Sequence, residues 1–327
     1  MFAYIARRIA FAIPILIGIN FITFALFFMV NTPDDMARAQ LGAKQNTPEM
    51  IQSWKQEHGY DKPLFFNPES QISPGSMFTD TIFFQESIKL FLFDFGESDA
   101  GRQIGADIKE RMWPSLAIAL PTFFIAIITN ISFALLIVLF RGSTLDTVTM
   151  MIAVAIMSIS GLFYIIAGQV LFSKMLHWMP ISGYQPGWEG FKFLVLPVLI
   201  GVFAGLGAGV RWYRSIFLEE IGQDYVRTAR AKGLSEIKVL FGHVLQNGML
   251  PILTGIVVII PSLFMGSLIM ESFFAIPGLG SYTIDAINSQ DFSIVKSMVF
   301  LGSVLYIVGL ILTDISYTFF DPRVRLN

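Results

Sequence analysis

The sequence predicts an all-α integral membrane protein with six transmembrane helices and an extracytoplasmic insertion after the first helix. Three observations predict it. The chain of 327 residues is 54% hydrophobic and only 14% charged, with mean hydropathy +0.65, whereas a soluble domain is about a quarter charged. Its apolar residues gather into six windows near the roughly 20 residues that a helix needs to cross a bilayer. Lysine and arginine fall on alternate connections between those windows, as they do when one side faces the cytoplasm.

The first window, residues 9–30, follows Arg7 and Arg8. Its apolar core exceeds the roughly 7–15 residues of a secretory signal, and no small-x-small cleavage pattern follows it directly. Residues 1–31 therefore read as a retained anchor helix. Residues 32–112 form the insertion, and the stretch 31–112 is acidic, with thirteen Asp and Glu against eight Lys and Arg. One short helix is legible there: Thr47 is placed to cap it, Pro48 suits the first helical position, Glu49 complements the dipole and Gly59 supplies the stop. Ile51 and Trp54 share its apolar face.

Residues 113–320 make the membrane core, with windows at 113–140, 148–172, 193–210, 249–270 and 297–319. Pro121, Pro251 and Pro261 lie inside these windows, which membrane helices tolerate because neighbours satisfy the freed carbonyls. Residues 321–327 are a tail. If the amino terminus is cytoplasmic, Arg7, Arg8, Arg141, the cations of 211–248, Arg323 and Arg325 all share its side. The opposite connections after the insertion hold only Lys174 and Lys192. Both termini are expected in the cytoplasm.

The longest cytoplasmic connection, 211–248, contains "YVRTARAKGLSE". Asp224 is placed to cap a helix, Tyr225 to Lys232 give about two turns, and Gly233 supplies a left-handed stop. Ser235 then caps a second helix, in which Ile237, Leu240, Phe241 and Val244 recur at helical spacing. Asn247 and Gly248 are expected to end it before Pro251 enters the membrane. Two short helices on one side of a membrane form a knob that fits a partner's groove. The alternative is that Arg227, Arg230 and Lys232 touch only anionic lipid.

The stretch "DYVRTARAKGLSEIKVLFGHVLQNGMLP" resembles the same loop in the dipeptide, oligopeptide and nickel permeases, the membrane subunits of binding-protein-dependent ABC importers. "ESFFAIPGLGSYTIDAINSQDF", "TPEMIQSWKQEHGYDKPL", "FDFGES" and the closing "DPRVR" resemble further landmarks of that family. The likeness covers nearly the whole chain and implies the type I ABC importer permease fold in a bacterial inner membrane. It implies a coupling helix over Asp224, Tyr225, Arg227, Ala229, Arg230, Lys232, Gly233 and Ser235 that docks on an ATPase. The general importer pattern is Glu-Ala-Ala, three residues, Gly; here Ala229 and Gly233 fit, while Arg227 and Thr228 take the first two places. A Leu-Pro pair comes later than in that pattern, at Leu250-Pro251. The resemblance further implies a second permease subunit, two ATPase subunits that bind the ATP and Mg, and an extracytoplasmic solute-binding protein. Peptide is the expected cargo, with nickel or another small solute as the alternative.

Other classes find little support. There is no G-x-x-x-x-G-K-[ST] phosphate loop, no cysteine, no H-E-x-x-H pair among His58, His177 and His243, and no G-x-S-x-G nucleophile, so no cofactor or metal is expected on this chain. No basic stripe outside the loops points to nucleic acid. A stand-alone secondary transporter would call for buried mid-membrane acids or inverted repeats. The in-span charges are Glu271, read as a pathway or gate residue or one snorkelling to the outer interface, and Asp314, read as a polar contact at a helix end. Gly201, Gly205 and Gly209 permit close helix contact, either inside this subunit or with a second permease. Pro277, Gly278 and Gly280 mark a turn on the outer side.

Overall fold

The computed structural model describes residues 2–42, 47–68 and 76–320. The tail with Arg323 and Arg325 lies outside the described residues. In chain order the α-helices are α1 (Phe2–Phe24), α2 (Pro33–Leu41), α3 (Pro48–His58), α4 (Ser76–Thr79), α5 (Ile104–Leu139), α6 (Thr144–Ser158) and α7 (Gly161–Gly168). They continue with α8 (Phe191–Ile221), α9 (Asp224–Ala231), α10 (Glu236–Val239), α11 (Leu245–Ile259), α12 (Leu268–Phe273), α13 (Leu279–Ser289) and α14 (Phe292–Phe320).

Among the described residues, five stretches are long and apolar enough to cross a membrane: Ala6–Val30, Ile104–Leu139, Trp188–Ile221, Glu236–Phe273 and Phe292–Ser316. The third window, 148–172, departs from a single straight span. Thr144–Ser158 and Gly161–Met175 meet at an angle of 89°. Ile159 is extended and Ser160 precedes the next helix; the Ile156 carbonyl accepts from the Ile159 N–H at 3.3 Å and from the Tyr164 hydroxyl at 2.6 Å, a bond that spans the break. A second departure concerns residues 211–221, expected in a loop but helical as the end of α8. Their arginines interrupt the hydropathy, not the helix.

The chain divides into two compact units. The first comprises residues 1–111 and 282–308. Its core joins Phe24 and Phe28, at the end of the first span, to Met36, Ile51, Trp54, Tyr60 and Ile82. The α3 helix starts where Thr47 accepts from the Met50 N–H at 3.4 Å and stops at Gly59, whose φ is +70°. The preceding α2 was not legible as a helix beforehand, although Thr32 and Asp35 form a reciprocal capping box at its start. Those hydrogen bonds hold the Asp35 carboxyl below its ordinary range. Lys296 pairs with Glu86 inside this unit, its ammonium lying 5.9 Å from the Phe28 ring centre.

A polar cluster fastens the same unit. Asp291 accepts from the Asp99 N–H at 2.9 Å and from the Ile294 N–H at 3.1 Å, so it caps α14 while holding the 94–103 loop. Gln40 donates to Asp99 and accepts from the Trp54 indole at 2.9 Å. Burial, then Asp291, raises the Asp99 carboxyl above its ordinary range, and burial pushes the Tyr60 phenol up to about 12. His58 stacks on Trp54 with ring centres 4.1 Å apart, an ordinary structural role.

The second unit comprises residues 112–281 and 309–327. It has two cores. One gathers Leu135 and Val138 of α5, Tyr213 and Phe217 of α8, and Val226 and Ala229 of α9 around Val239, Leu240, Val244 and Ile252. The other joins Ile118, Ile165, Leu196 and Ile200 to Phe274 and Ile276.

Candidate functional site

The stretch that opened the functional reading folds as a helix, a tight turn and a second helix. Its first cap differs from expectation. Gln223 occupies the capping position with extended backbone and no side-chain cap, so Asp224 becomes the first helical residue and acts on the dipole instead. Gly233 has φ +77° and ends the helix in the left-handed conformation. Ser235 stands just before α10, but its hydroxyl makes no cap hydrogen bond.

Burial sorts the residues of α9 cleanly. Val226 and Ala229 are buried in the unit's core, while Asp224, Arg227, Thr228 and Ala231 recur at helical spacing on the exposed side. Tyr225 donates to Glu220 at the end of α8, and burial together with that carboxylate raises its phenol. Arg230 turns inward across the glycine turn and grips Glu236 with two bonds of 2.8 and 3.1 Å. That fork stitches α9 to α10, leaving Arg227 and Lys232 as the outward cations; Arg227 lies 3.4 Å from Asp224.

The second helix differs from the expected pattern in two ways. Val239, Leu240 and Val244 are buried, but Ile237 and Phe241 are 60% and 59% exposed. A π-helical turn over Leu240–Val244 shifts the register, so the spacing of a regular helix misassigns its faces. The helix also does not end at Asn247 and Gly248, since α11 runs from Leu245 to Ile259. Gly248 serves packing: a Cβ there would lie 3.0 Å from the Phe217 ring of α8.

Above α9, Arg214 of α8 holds Asp146 of α6 with bonds of 3.0 and 2.8 Å, and the Gly142 N–H adds a third at 3.0 Å. Asp146 was missed in the sequence because an acid near a helix start looks like a dipole partner only.

Glu271 is 1% exposed, which rules out the snorkelling reading. Its carboxylate accepts from the Ser267 N–H at 3.1 Å and the Ser281 N–H at 3.0 Å, with Ser115 and Gly280 as further partners. Gly266 and Gly278 are required around it, because any Cβ at either position would overlap the carboxylate. Glu271 thereby ties the break in span five to the turn that leads into α13. Ser115 also accepts from the Leu279 N–H at 2.8 Å. The turn falls earlier, at Phe274 and Ala275; the Gly278 N–H donates to the Ile276 carbonyl at 2.8 Å, and Gly280, expected in the turn, lies in α13, a helix that was not foreseen. Asp314 is half-buried in α14 and hydrogen-bonded or otherwise engaged.

The glycine stripe divides. A Cβ on Gly201 would sit 2.8 Å from the Thr122 methyl, and one on Gly209 would overlap Asn130, so both press α8 onto α5. Gly205 faces open space, and the third close contact comes from Gly207 against α6, where Met157 N would be 3.0 Å away. Gly205 therefore has no share in the internal contact.

Comparison with known proteins settles the family. The model for "Binding-protein-dependent transport system inner membrane component" matches residues 131–326, and the model for the N-terminal part of such components matches residues 1–81. The chain belongs to this family. The permease is similar over its whole length to a Brucella abortus (strain 2308) protein named as a candidate permease of a peptide transport system, 34% identical over 335 residues with 100% of each chain covered. It is similar to the oligopeptide transport system permease protein of Bacillus subtilis (strain 168), 31% identical over 337 residues, covering 99% of this chain and 100% of that one. It is 28% identical over 350 residues to the di/tripeptide transport system permease protein of Pseudomonas aeruginosa (strain UCBPP-PA14), covering 99% of each. It is thus a multi-pass inner-membrane component of a transport system that depends on a solute-binding protein.

Proposed function

We propose that this permease forms half of the translocation pathway of an ATP-driven importer of di- and oligopeptides. On this reading α9 is the coupling helix and faces the cytoplasm with both chain termini, and the segment 32–112 lies outside. A second permease completes the pathway, two ATPase subunits bind the ATP and Mg, and the binding protein delivers cargo. One observation carries the reading: α9 is anchored by Val226 and Ala229 yet presents Asp224, Arg227, Thr228 and Ala231 in one exposed stripe. Beside that stripe Ile237 and Phe241 leave apolar area uncovered, which favours a protein groove over a charged lipid surface. The relatives named for peptide transport support the cargo.

The absence of cysteine makes the test clean. A single Arg227→Cys variant in native membranes should crosslink to an ATPase subunit and be labelled only from the cytoplasmic side. Crosslinking to nothing but lipid would overturn the docking. Deletion of the chain should abolish uptake of labelled dialanine; loss of nickel uptake alone would overturn the cargo.

A further inference from the structure

Beyond the 89° bend the chain runs as α7, continues in a π-helical segment, Gln169–Met175, and returns after a loop as α8. The two legs pack closely at Gly168, where a Cβ would overlap Ile200. Beside that contact a groove of about 470 Å³ runs between them. One leg lines it with Tyr164, Gly168, Leu171 and Phe172, and the other with Leu199 and Phe203. Tyr164 brings the one polar side chain of the lining, and its hydroxyl already donates to the Ile156 carbonyl at 2.6 Å. A polar occupant would be left unpaired along these walls, so whatever fills the groove is apolar over this length.

The two ends of the groove differ. At the deep end Tyr164 and Phe203 meet edge to face, with ring centres 5.4 Å apart, and form its floor. At the other end stand cations and tryptophans. Lys192, Leu199 and Phe203 recur at i, i+7 and i+11, so Lys192 lies on the groove's face of α8. On the facing leg Lys174 follows Phe172 by two residues, and both lysines are exposed. The Trp178 ring stands 6.1 Å from that of Phe172, and Trp188, 95% exposed, lies just before α8. Tryptophan and lysine together mark a membrane–water boundary. Lys174 and Lys192 are also the only Lys or Arg in the connections opposite the arginine-rich ones after the insertion, and both fall at this one mouth. Glu189 is exposed three residues before Lys192, but pairs with neither lysine among the described residues, and the Lys192 ammonium lies 5.2 Å from the Phe193 ring centre. Length decides between a chain and a helix as occupant. From Phe203 to Lys192 α8 rises about 16 Å, half of the roughly 30 Å hydrocarbon core. An acyl chain of one leaflet fits that span, whereas a helix crossing the whole bilayer would overrun the floor.

We propose that this groove is a binding site for an anionic phospholipid, with an acyl chain laid along Leu199 and Phe203 and the phosphate held between Lys174 and Lys192. The orientation proposed above enters only in placing the lipid in the outer leaflet; the binding itself does not depend on it. Two ammonium groups at the mouth favour a headgroup of net negative charge, each by about fivefold, while a choline headgroup cancels its own phosphate and gains little from them. The occupant fills the space that the bend opens between α7 and α8, so binding it supports the two legs in this arrangement.

The test is native mass spectrometry of the intact detergent-purified complex, stripped of lipid and offered dioleoylphosphatidylglycerol or dioleoylphosphatidylcholine. The phosphatidylglycerol adduct should form about tenfold or more tightly. Lys174→Gln and Lys192→Gln should each weaken it about fivefold and leave the phosphatidylcholine adduct unchanged, and Lys192→Arg should retain it. Lys238→Gln, in α10 near the other end of α8, should have no effect. Equal retention of the two lipids, or an equal loss from Lys238→Gln, would reduce the binding to general attraction and overturn the site. Glycerol 3-phosphate in large excess should not displace the lipid; displacement would overturn the part assigned to the acyl chain. A phosphatidylglycerol with a diazirine in mid-chain tests the groove without any substitution: on illumination of the unaltered complex it should label residues 164–172 or 199–203, and labelling only elsewhere would overturn the placement. Leu199→Cys, in a chain without other cysteines, should form no crosslink to another subunit; such a crosslink would overturn the lipid site in favour of protein packing.

Discussion

Replacing Glu271 should loosen the second unit by an amount the geometry lets one work out. Its two carboxylate oxygens take the Ser267 and Ser281 N–H groups at 3.1 and 3.0 Å, in a site that is 1% exposed. Glu271→Ala strands both donors, and each buried unpaired donor costs roughly 1–3 kcal/mol, giving about 2–6 kcal/mol. Glu271→Gln keeps the shape, but its amide nitrogen must face one of the N–H groups, so about half that loss should remain. At roughly 2–4 °C per kcal/mol, the alanine variant should melt at least about 4 °C lower when followed by fluorescence size exclusion of a tagged, detergent-purified complex. A double-mutant cycle sharpens the test. Gly266→Ala collides with the Glu271 carboxylate and the Ser115 hydroxyl, so in the Glu271→Ala background it should cost less, leaving the backbone strain of about 1–2 kcal/mol and the adjustment of Ser115. Strictly additive losses, or melting of both single Glu271 variants within about 2 °C of the parent, would refute the staple.

Other consequences are simpler. Gly233 has φ +77° with nothing within 4 Å of a Cβ, so the effect of Gly233→Val is strain alone, about 1–2 kcal/mol or more for a β-branched residue; initial uptake should fall about tenfold with normal insertion, and Gly233→Asn should fall less. Gly201→Val should destabilise by about 1–3 kcal/mol through overpacking on Thr122, while Gly205→Ala, facing open space, should leave melting unchanged. The raised Asp99 carboxyl means the folded unit holds that proton more tightly than the unfolded chain. Its contribution to stability is therefore fully present below the ordinary value of 3.8 and is lost as pH rises through the raised folded value. Asp99→Asn should flatten that part of a melting-versus-pH profile, and an unchanged slope would exclude Asp99 as its source.

What the sequence made legible was what local rules determine. Thr47, Pro48 and Gly59 bracket α3 because capping and left-handed turns are decided within a few residues. The family resemblance and the apolar windows located the spans for the same reason that hydropathy works: backbone must be satisfied inside lipid. The failures have a common physics. The 89° bend at Ser158–Gly161 and the break at Gly266 are bridged by side chains a few residues on, Tyr164 for one and Glu271 with Ser281 for the other, and hydropathy does not register such bonds. Ile237 and Phe241 were assigned inward because a regular period was assumed through a π turn. Gly205 matched Gly201 and Gly209 in spacing, but contact is decided by the side chains opposite: Thr122 and Asn130 stand against the outer two, and nothing lies within 4 Å of a Cβ at Gly205.

Those breaks bear on how force would travel. From α8 the chain reaches α9 after only Gly222 and Gln223, and from α9 it reaches α10 after the turn through Gly233, from which helical structure continues into α11. Both joints are crossed by side chains: Tyr225 to Glu220 at the first, and the Arg230–Glu236 fork at the second. Bonds across a joint remove its freedom to act as a soft hinge, so a displacement imposed on α9 must be absorbed elsewhere. Beyond the π turn at Leu240–Val244, which packs into the core through Leu240 and Val244, the next irregular backbone is the 3-10 segment Ile260–Met265 and Gly266, beside a cavity that Thr122 and Ser262 help to line. A rigid end at α9 and a yielding break beyond α11 would convert motion at α9 into a change in cavity shape, a response that a uniformly stiff bundle would lack.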